Sequence, residues 1–161
     1  MPGPNLTDSE YASLSEFRYR LRLFLAFSEE QAKAAGLNPQ QHQLLLAVKG
    51  FGKVPPSIGM LAERLMLRHH STVELIDRLQ QRGLVSRVRS EQDRRLASVR
   101  VTTLGSRVLR RLSLSHRDEL RRTGPELAQA LSSLLRAKPK AKPRPKPKAK
   151  KPFRTRKAGP R

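Results

Sequence analysis

Residues 62–105, AERLMLRHHSTVELIDRLQQRGLVSRVRSEQDRRLASVRVTTLG, hold the pattern that decides the fold. Apolar residues recur at helical spacing in a segment that begins after Ser57 and again in a segment that Gly83 ends. Two short stretches, VSRVR and ASVRV, then alternate apolar with polar residues, as half-buried strands do. In the loop between them an acid is followed at once by two arginines, at Asp93, Arg94 and Arg95. Two helices joined by a tight turn and followed by a hairpin with a charged tip predict a winged helix-turn-helix.

The second of these helices is predicted to begin near Ser71. In the pattern Ser71-x-x-Glu74 the serine satisfies a backbone amide while the glutamate reaches back to the cap. Polar side chains of the first turn then face outward, beside the amide-rich helix end, where phosphates and base edges can be bound. The candidate contacts are Arg68, His69, His70, Ser71, Thr72 and Glu74. Packing in the turn is the alternative for the two histidines, and for Glu74 capping competes with accepting from a cytosine amino group.

The hairpin supplies a second set of candidates. Arg87, Arg89 and Arg100 are predicted at outward positions of the strands, in contact with backbone phosphate or simply solvated. At the tip, the adjacent arginines repel each other, so an anionic partner would have to make the arrangement useful. An exposed charged turn without a partner is the alternative interpretation.

Long helices are predicted on both sides of this block. From Leu6 to Ala35 large apolar residues recur at spacings of three and four, which makes one wide apolar face: Tyr11, Leu14, Phe17, Leu21, Phe24 and Phe27. Gly36 is predicted to end this helix, and Asn38-Pro39 to begin the next, QQHQLLLAVKG. The wide face suggests a partner subunit, although a wide core face would give the same pattern.

After the hairpin, Thr102 or Thr103 is predicted to cap a further helix. A separate last helix is predicted to follow Thr123-Gly124-Pro125. Residues 137–161, AKPKAKPRPKPKAKKPFRTRKAGPR, contain six prolines, one aromatic residue and no acid, so a disordered basic tail is predicted there. We expect one folded body over residues 1–136.

Charge points to a polyanionic partner. The chain has 161 residues with 34 Lys and Arg against 13 Asp and Glu, for a formal net charge of +21. Residues 137–161 carry 12 basic side chains, and removing these 12 from 34 leaves 22 basic against 13 acidic side chains, or +9, on residues 1–136. The body is therefore basic without its tail. With no cysteine, neither a disulfide framework nor a thiol redox switch is available.

Taken as one block, residues 62–105 resemble the MarR family of bacterial transcriptional regulators, and the resemblance extends from about residue 8 to 136. Its most specific parts are the Ser-Thr-Val run at 71–73, Asp77-Arg78-Leu79, Gly83-Leu84-Val85 and Asp93-Arg94-Arg95, followed by Val99, Val101, Thr102 and Gly105. The tail is outside this pattern and is similar to the Lys-Ala-Pro-rich tails of linker histones and bacterial nucleoid proteins.

The resemblance implies a mainly helical fold with a small hairpin wing, in which residues 37–102 bind DNA and residues 8–35 and 103–136 form dimerisation helices. The recognition helix would lie in the major groove of double-stranded DNA. Arg94 would enter the minor groove, where a narrow groove concentrates negative potential, and Asp93 would pair with a nearby arginine to order the tip. His42 and His116 lie near where the family tends to form effector or metal pockets, but partly buried histidines satisfied by a neighbour are the favoured interpretation and a ligand role is the alternative.

The sequence therefore predicts a homodimeric, sequence-specific DNA-binding regulator, most simply a repressor, whose tail adds nonspecific DNA affinity. The alternative is an architectural nucleoid protein. No carboxylate pair, nucleophile-base set or phosphate-binding glycine loop occurs at a convincing spacing, so no catalytic residue, cofactor or metal is predicted. A small-molecule effector of unspecified chemistry is a further possible partner. The first residues lack the layout of a signal peptide, so a cytoplasmic, nucleoid-associated protein without membrane contact is expected.

Overall fold

The computed structural model describes residues 6–89 and 97–136, which form five helices and one two-stranded antiparallel sheet. In chain order these are α1 (Asp8–Ala34), α2 (Pro39–Gly50), α3 (Ile58–Leu65), α4 (His69–Gln81), β1 (Val85–Arg89), β2 (Ala97–Val101) and α5 (Thr103–Arg136). The predicted mainly helical fold with a hairpin wing is confirmed. Among the described residues, no helix is both long enough and apolar enough to cross a membrane.

Local capping chemistry sets the ends of the first three helices. Thr7 caps α1 in a reciprocal bond pattern with Glu10, and Gly36 follows the end of α1 with a positive φ of 71°. Asn38 caps α2 together with Gln41 and precedes a proline in the first turn. The Ser57 hydroxyl accepts from the Met60 amide at the start of α3. The predicted roles of Gly36, Asn38 and Ser57 are thus confirmed.

The start of α4 differs from the prediction. This helix begins at His69 with Arg68 as its N-cap, and no side chain makes a capping hydrogen bond there. The predicted Ser71–Glu74 capping box is therefore wrong. The cause lies in the preceding turn, where Met66 takes the left-handed conformation and the Leu67 amide bonds the Ala62 carbonyl. Leu67 packs against the core, so α4 begins two residues earlier than its sequence signal.

The hairpin is seated on the helices by its register. Val85 pairs with Val101 and Arg87 with Val99. Val85 and Val99 are both buried, and the Val99 amide donates to the carbonyl of Pro56 at 3.0 Å. Because paired residues of an antiparallel ladder point to the same face, Arg87 shares the inward face of the sheet with these valines.

The last helix is continuous, which corrects the prediction of two helices separated at residues 123–125. Pro125 lies inside α5. Proline removes one backbone bond from a helix, yet the loss is tolerated here because α5 packs lengthwise on α1. Arg20 of α1 pairs with Glu126 immediately beyond the proline, so both halves of α5 are held to the same neighbour. Thr102 caps α5 as predicted, because its hydroxyl accepts from the Gly105 amide at 3.0 Å.

One hydrophobic core lies between α2, α3, α4 and the hairpin, and it extends to the near ends of α1 and α5. Its fully buried large side chains come mostly from the winged-helix part: Leu44, Leu45, Leu61, Ile76, Leu79, Val85 and Val99. Ala32 of α1 and Leu109 and Leu112 of α5 complete it. The winged helix is therefore a packed unit from which the two long helices extend.

Candidate nucleic-acid interface

The first turn of α4 brings four of the predicted contact residues together on the surface. Arg68, His69 and His70 are exposed, and Ser71 is partly exposed beside them. Because no side chain caps this helix, its first amides are not bonded by a capping group. Unpaired amides and the positive end of the helix dipole favour an anion at this position.

Thr72 and Glu74 are placed differently from the other four. Thr72 is fully buried, and its hydroxyl donates to the Arg68 carbonyl at 3.1 Å. It therefore supports the turn from inside and does not lie on the surface. Glu74 is exposed and lies 3.7 Å from Arg78 one turn later, so its carboxylate is available on the helix surface instead of serving as a cap.

Arg87 does not occupy the outward position that was predicted. Its guanidinium lies 2.5 Å from the Asp77 carboxylate of α4 and donates to the Gln80 side-chain oxygen at 3.1 Å. VSRVR has valines at both parities, so alternation alone left its inward face undetermined. Burial of Val85 decides the face, and residue 87 follows it two positions later.

Arg100 lies on β2 opposite Ser86 and is exposed, as predicted. Arg89 is the last residue of β1 and pairs with Ala97. Its predicted outward position stays a prediction, because the Arg89 side chain lies outside the described part of the structure. The tip candidates Asp93, Arg94 and Arg95 lie outside the described residues.

Asp77, Gln80 and Met66 were missed as site residues by the sequence reasoning. Asp77 and Gln80 are three apart on a helix, the spacing at which two side chains can face the same neighbour. This spacing is visible in the sequence, but the sequence does not show that the shared neighbour is Arg87 on β1. Met66 is nine-tenths exposed at the turn before α4, and nothing in its residue type indicated a left-handed backbone there.

A histidine pair joins the winged helix to the long helices. The rings of His42 on α2 and His116 on α5 lie 4.8 Å apart. His116 is hydrogen-bonded at both nitrogens, to the Leu112 carbonyl at 2.6 Å and the Ser28 hydroxyl at 2.8 Å. Burial, and secondarily the nearby His116, lowers the pKa of His42. The prediction that His116 is satisfied by neighbours agrees with these contacts.

A cavity of about 440 Å³ lies beside this pair. It is lined by apolar and cationic side chains of α1, α2 and α5, including Phe24, Leu46, Arg117 and Arg121. Within residues 6–89 and 97–136 no group of three or more His, Cys, Asp or Glu side chains could hold a metal ion. The cavity is therefore lined by aromatic ring faces and guanidinium groups. This lining does not decide between the ligand pocket and the packing site described above.

Comparison with known proteins is consistent with this geometry. Residues 35–96, which include α2, α3, α4 and β1, match the model of the MarR family. The winged-helix part of this chain is therefore similar to the MarR family. No curated protein sequence matches the chain.

Solved structures of MarR-family proteins resemble most of the chain. A MarR transcription factor from Planctomyces limnophilus is 29% identical, with a TM-score of 0.56 over 84% of this chain and 96% of that one. AbsC, a MarR family transcriptional regulator from Streptomyces coelicolor, is 24% identical, with a TM-score of 0.65 over 82% of this chain and 90% of that one. A mutant of S. aureus MepR bound to an oligodeoxyribonucleotide is 18% identical, with a TM-score of 0.60 over 81% and 97% of the two chains. The last two show likeness of fold.

Proposed function

We propose that this chain is a homodimeric, sequence-specific DNA-binding regulator of transcription of the MarR family that represses by occupying its operator. The observation that carries the proposal is the exposed, uncapped first turn of α4, with Arg68, His69 and His70, beside a cationic hairpin. A MepR mutant of the same fold is bound to an oligodeoxyribonucleotide, which supports DNA as the partner. No catalytic residue is assigned, in keeping with relatives that are transcriptional regulators.

In the proposed complex α4 lies in the major groove. Arg68, His69, His70 and Ser71 contact phosphates and base edges, and Glu74 can accept from a cytosine amino group. The hairpin lies against the backbone with Arg100 on its outer face, and its tip enters the minor groove. Arg94 is the proposed inserted side chain, with Asp93 ordering the tip and Arg89 and Arg95 adding positive charge.

Dimerisation is proposed through the two long helices, residues 8–35 and 103–136. Large apolar side chains remain exposed along both, including Tyr11, Leu14 and Leu25 on α1 and Leu131 and Leu135 on α5. A second copy would cover these faces and place two copies of α4 on successive major grooves, about one helical turn apart.

The 12 basic side chains of residues 137–161 are proposed to bind phosphates without reading bases. Each phosphate that they neutralise should add about 0.9 to the slope of log affinity against log salt. The tail would then raise affinity and encounter rate, keep the protein on cytoplasmic nucleoid DNA, and reduce the ratio of operator to nonspecific affinity.

Selection from a random duplex pool tests the proposal. The full chain should enrich a pseudo-palindrome with half-sites about one turn apart, and footprinting should protect it. Changing Arg94 to alanine should weaken operator binding by about tenfold, since a good specific contact is worth about 1–3 kcal/mol. If no sequence is enriched at physiological salt, the regulator proposal fails.

The tail charge favours a second candidate, an architectural protein that coats DNA. Truncation after Arg136 separates the two. A regulator keeps its operator preference while its salt dependence becomes shallower, whereas an architectural protein loses nearly all binding. The truncated and full chains should be compared on the same operator and on a random duplex of equal length.

A further inference from the structure

The contact between α4 and β1 is made by a charged pair at the base of the wing. Asp77 and Gln80, three residues apart on α4, both bond Arg87 in the middle of β1, at 2.5 Å and 3.1 Å. The Arg87 and Asp77 side chains are 29% and 45% exposed, so the pair is partly sheltered. One guanidinium thus joins two acceptors of the helix to the strand.

Arg87 is directed to this contact by the backbone. It pairs with the buried Val99, and parity places it on the face that meets α4. A guanidinium on an inward face needs an acceptor, and the recognition helix supplies two. The bonds that satisfy Arg87 within the chain are therefore bonds that a phosphate would have to break.

We propose that Arg87 and Asp77 are positioning residues, which set the angle of the wing on the recognition helix and thereby the register between the major-groove and minor-groove readers. This inference rests on the proposed DNA-binding function. Arg89 ends β1 two residues beyond Arg87, and residues 90–96 join it to β2. A change of angle at residue 87 therefore also turns the end of β1 that leads to residues 90–96.

The proposal and plain electrostatics predict opposite signs for one substitution. Asp77 is a carboxylate near the surface proposed to meet DNA, so its neutralisation alone should strengthen binding. If Asp77 instead holds the wing, Asp77→Asn should weaken binding to the operator even though the chain becomes more positive. Partly exposed ion pairs contribute little to folding, so the variants should remain folded.

The experiment uses the full chain with Asp77→Asn, Arg87→Gln and the double variant, on the operator from the random pool and on a random duplex. Each single change should lower operator affinity about tenfold, within the range of measured pair couplings. Random-duplex affinity should change less than about twofold, and the double variant should bind the operator about as well as either single. Glu63→Gln with Arg64→Gln, which removes one exposed acid and one exposed base of α3, is the control for lost charges.

Three results would overturn the positioning role. If Asp77→Asn binds the operator as well as wild type or better, plain electrostatics explains the result and Asp77 does not position the wing. A salt slope for Arg87→Gln that is lower by about 0.9 would make Arg87 a phosphate contact. Additive losses in the double variant would show that the two residues act separately. The wild-type chain tests the proposed function separately from the positioning role. If wild type shows no preference for the operator over the random duplex, the proposed function fails regardless of how the variants bind.

Discussion

The described large apolar side chains that are fully buried lie in the winged-helix region, residues 39–101, whereas many of those along the two long helices are exposed. In the first region Leu44, Leu61 and Ile76 are fully buried. Over the whole of α1 the described buried residues comprise Ala32 alone, while Tyr11 is 58% exposed and Leu25 45% exposed. One region has its core within a single chain, and the other has apolar faces that a single chain does not cover.

Packing within one chain buries the apolar side chains of the winged helix, whereas covering the apolar faces of the long helices would need a second chain. The winged helix is small, but its helices and hairpin meet around shared side chains. Between α1 and α5 polar contacts are prominent, such as Arg20 with Glu126 and His116 with Ser28. Such contacts align the two helices without covering their outer apolar surface. Because a second copy is proposed to cover that surface, the free energy of unfolding of the long-helix region should depend on protein concentration.

The largest effect is expected from placing charge on the uncovered face. Leu21 and Leu25 lie one turn apart on α1 and are exposed. Leu21→Glu with Leu25→Glu should abolish the proposed dimer, because carboxylates would be buried without partners. Operator affinity should fall about 100-fold or more as the second half-site is lost. Sedimentation and operator titration measure the two effects.

Ala34→Glu with Gln43→Glu is the control, since it adds the same two charges at exposed positions away from Leu21 and Leu25. It should leave the dimer intact. If the Leu21/Leu25 variant still sediments as a dimer, the proposed dimer does not use this face. The contrast between the two regions would then have another cause.

The second prediction concerns the junction of the two regions. Gly105, in the first turn of α5, lies against the hairpin base, and an added Cβ would come within 2.1 Å of the Leu84 carbonyl oxygen. Gly105→Ala should therefore lower the free energy of unfolding by about 2–3 kcal/mol, because backbone must shift. Denaturant unfolding measures it.

Gly50, the last residue of α2, provides the control, since an added Cβ there meets no atom within 4 Å beyond its chain neighbours. Gly50→Ala should raise stability by about 0.5 kcal/mol through helix propensity. Equal responses to the two substitutions would mean that the junction does not depend on close approach at Gly105.

Sequence predicted most reliably what a few neighbouring residues determine. Asn38, Ser57 and Thr102 take their predicted roles because a side-chain cap bonds an amide three residues away. Gly36 takes its role because glycine adopts the positive φ that follows α1. The order of these elements was enough to predict the winged helix. The exposed cluster at the start of α4 could also be predicted, since its polar run is contiguous.

The errors occurred where distant packing decides. Leu67 packs against the core and brings the start of α4 forward, which overrides the signal at Ser71. Pro125 would end an isolated helix, but packing on α1 carries α5 through it. The face of Arg87 depends on which valines the helices cover, and a five-residue strand with valines at both parities does not encode that.

The third prediction tests the contact between the two regions through pH. Burial lowers the pKa of His42 below the ordinary histidine value of 6.5, so the folded chain holds it neutral while the unfolded chain takes up a proton. Its contribution to stability is thus fully present above pH 6.5 and is lost as pH falls from there towards the lower folded pKa. The neighbouring His116 opposes protonation of His42 further.

His42→Gln removes this titration while keeping a polar side chain of similar size. Its unfolding free energy should fall less than that of wild type between pH 7.5 and 5.5, and chemical denaturation at several pH values measures the difference. Gln43→Asn, at an exposed position of the same helix, should leave the wild-type profile unchanged. Parallel profiles for wild type and His42→Gln would contradict the prediction.

The smallest effect is expected at the turn inside the winged helix. Met66 has φ 53° and ψ 41°, and it is the one non-glycine residue with positive φ in residues 6–89 and 97–136. An L side chain pays about 1 kcal/mol for this conformation, whereas glycine adopts it freely. Because the Met66 side chain is 93% exposed, its removal forfeits almost no burial.

Met66→Gly should therefore raise the unfolding free energy by about 0.5–1 kcal/mol and leave sedimentation unchanged, since the turn belongs to the region that is complete in one chain. Met60→Gly gives the opposite sign as its control, because Met60 is exposed in helical backbone within α3, where glycine costs about 1 kcal/mol. Thermal unfolding at two protein concentrations distinguishes the sources. If the Met66→Gly gain in unfolding free energy persists in the Leu21/Leu25 variant, it arises in the winged helix alone. If the gain vanishes in that variant, the two regions do not unfold independently.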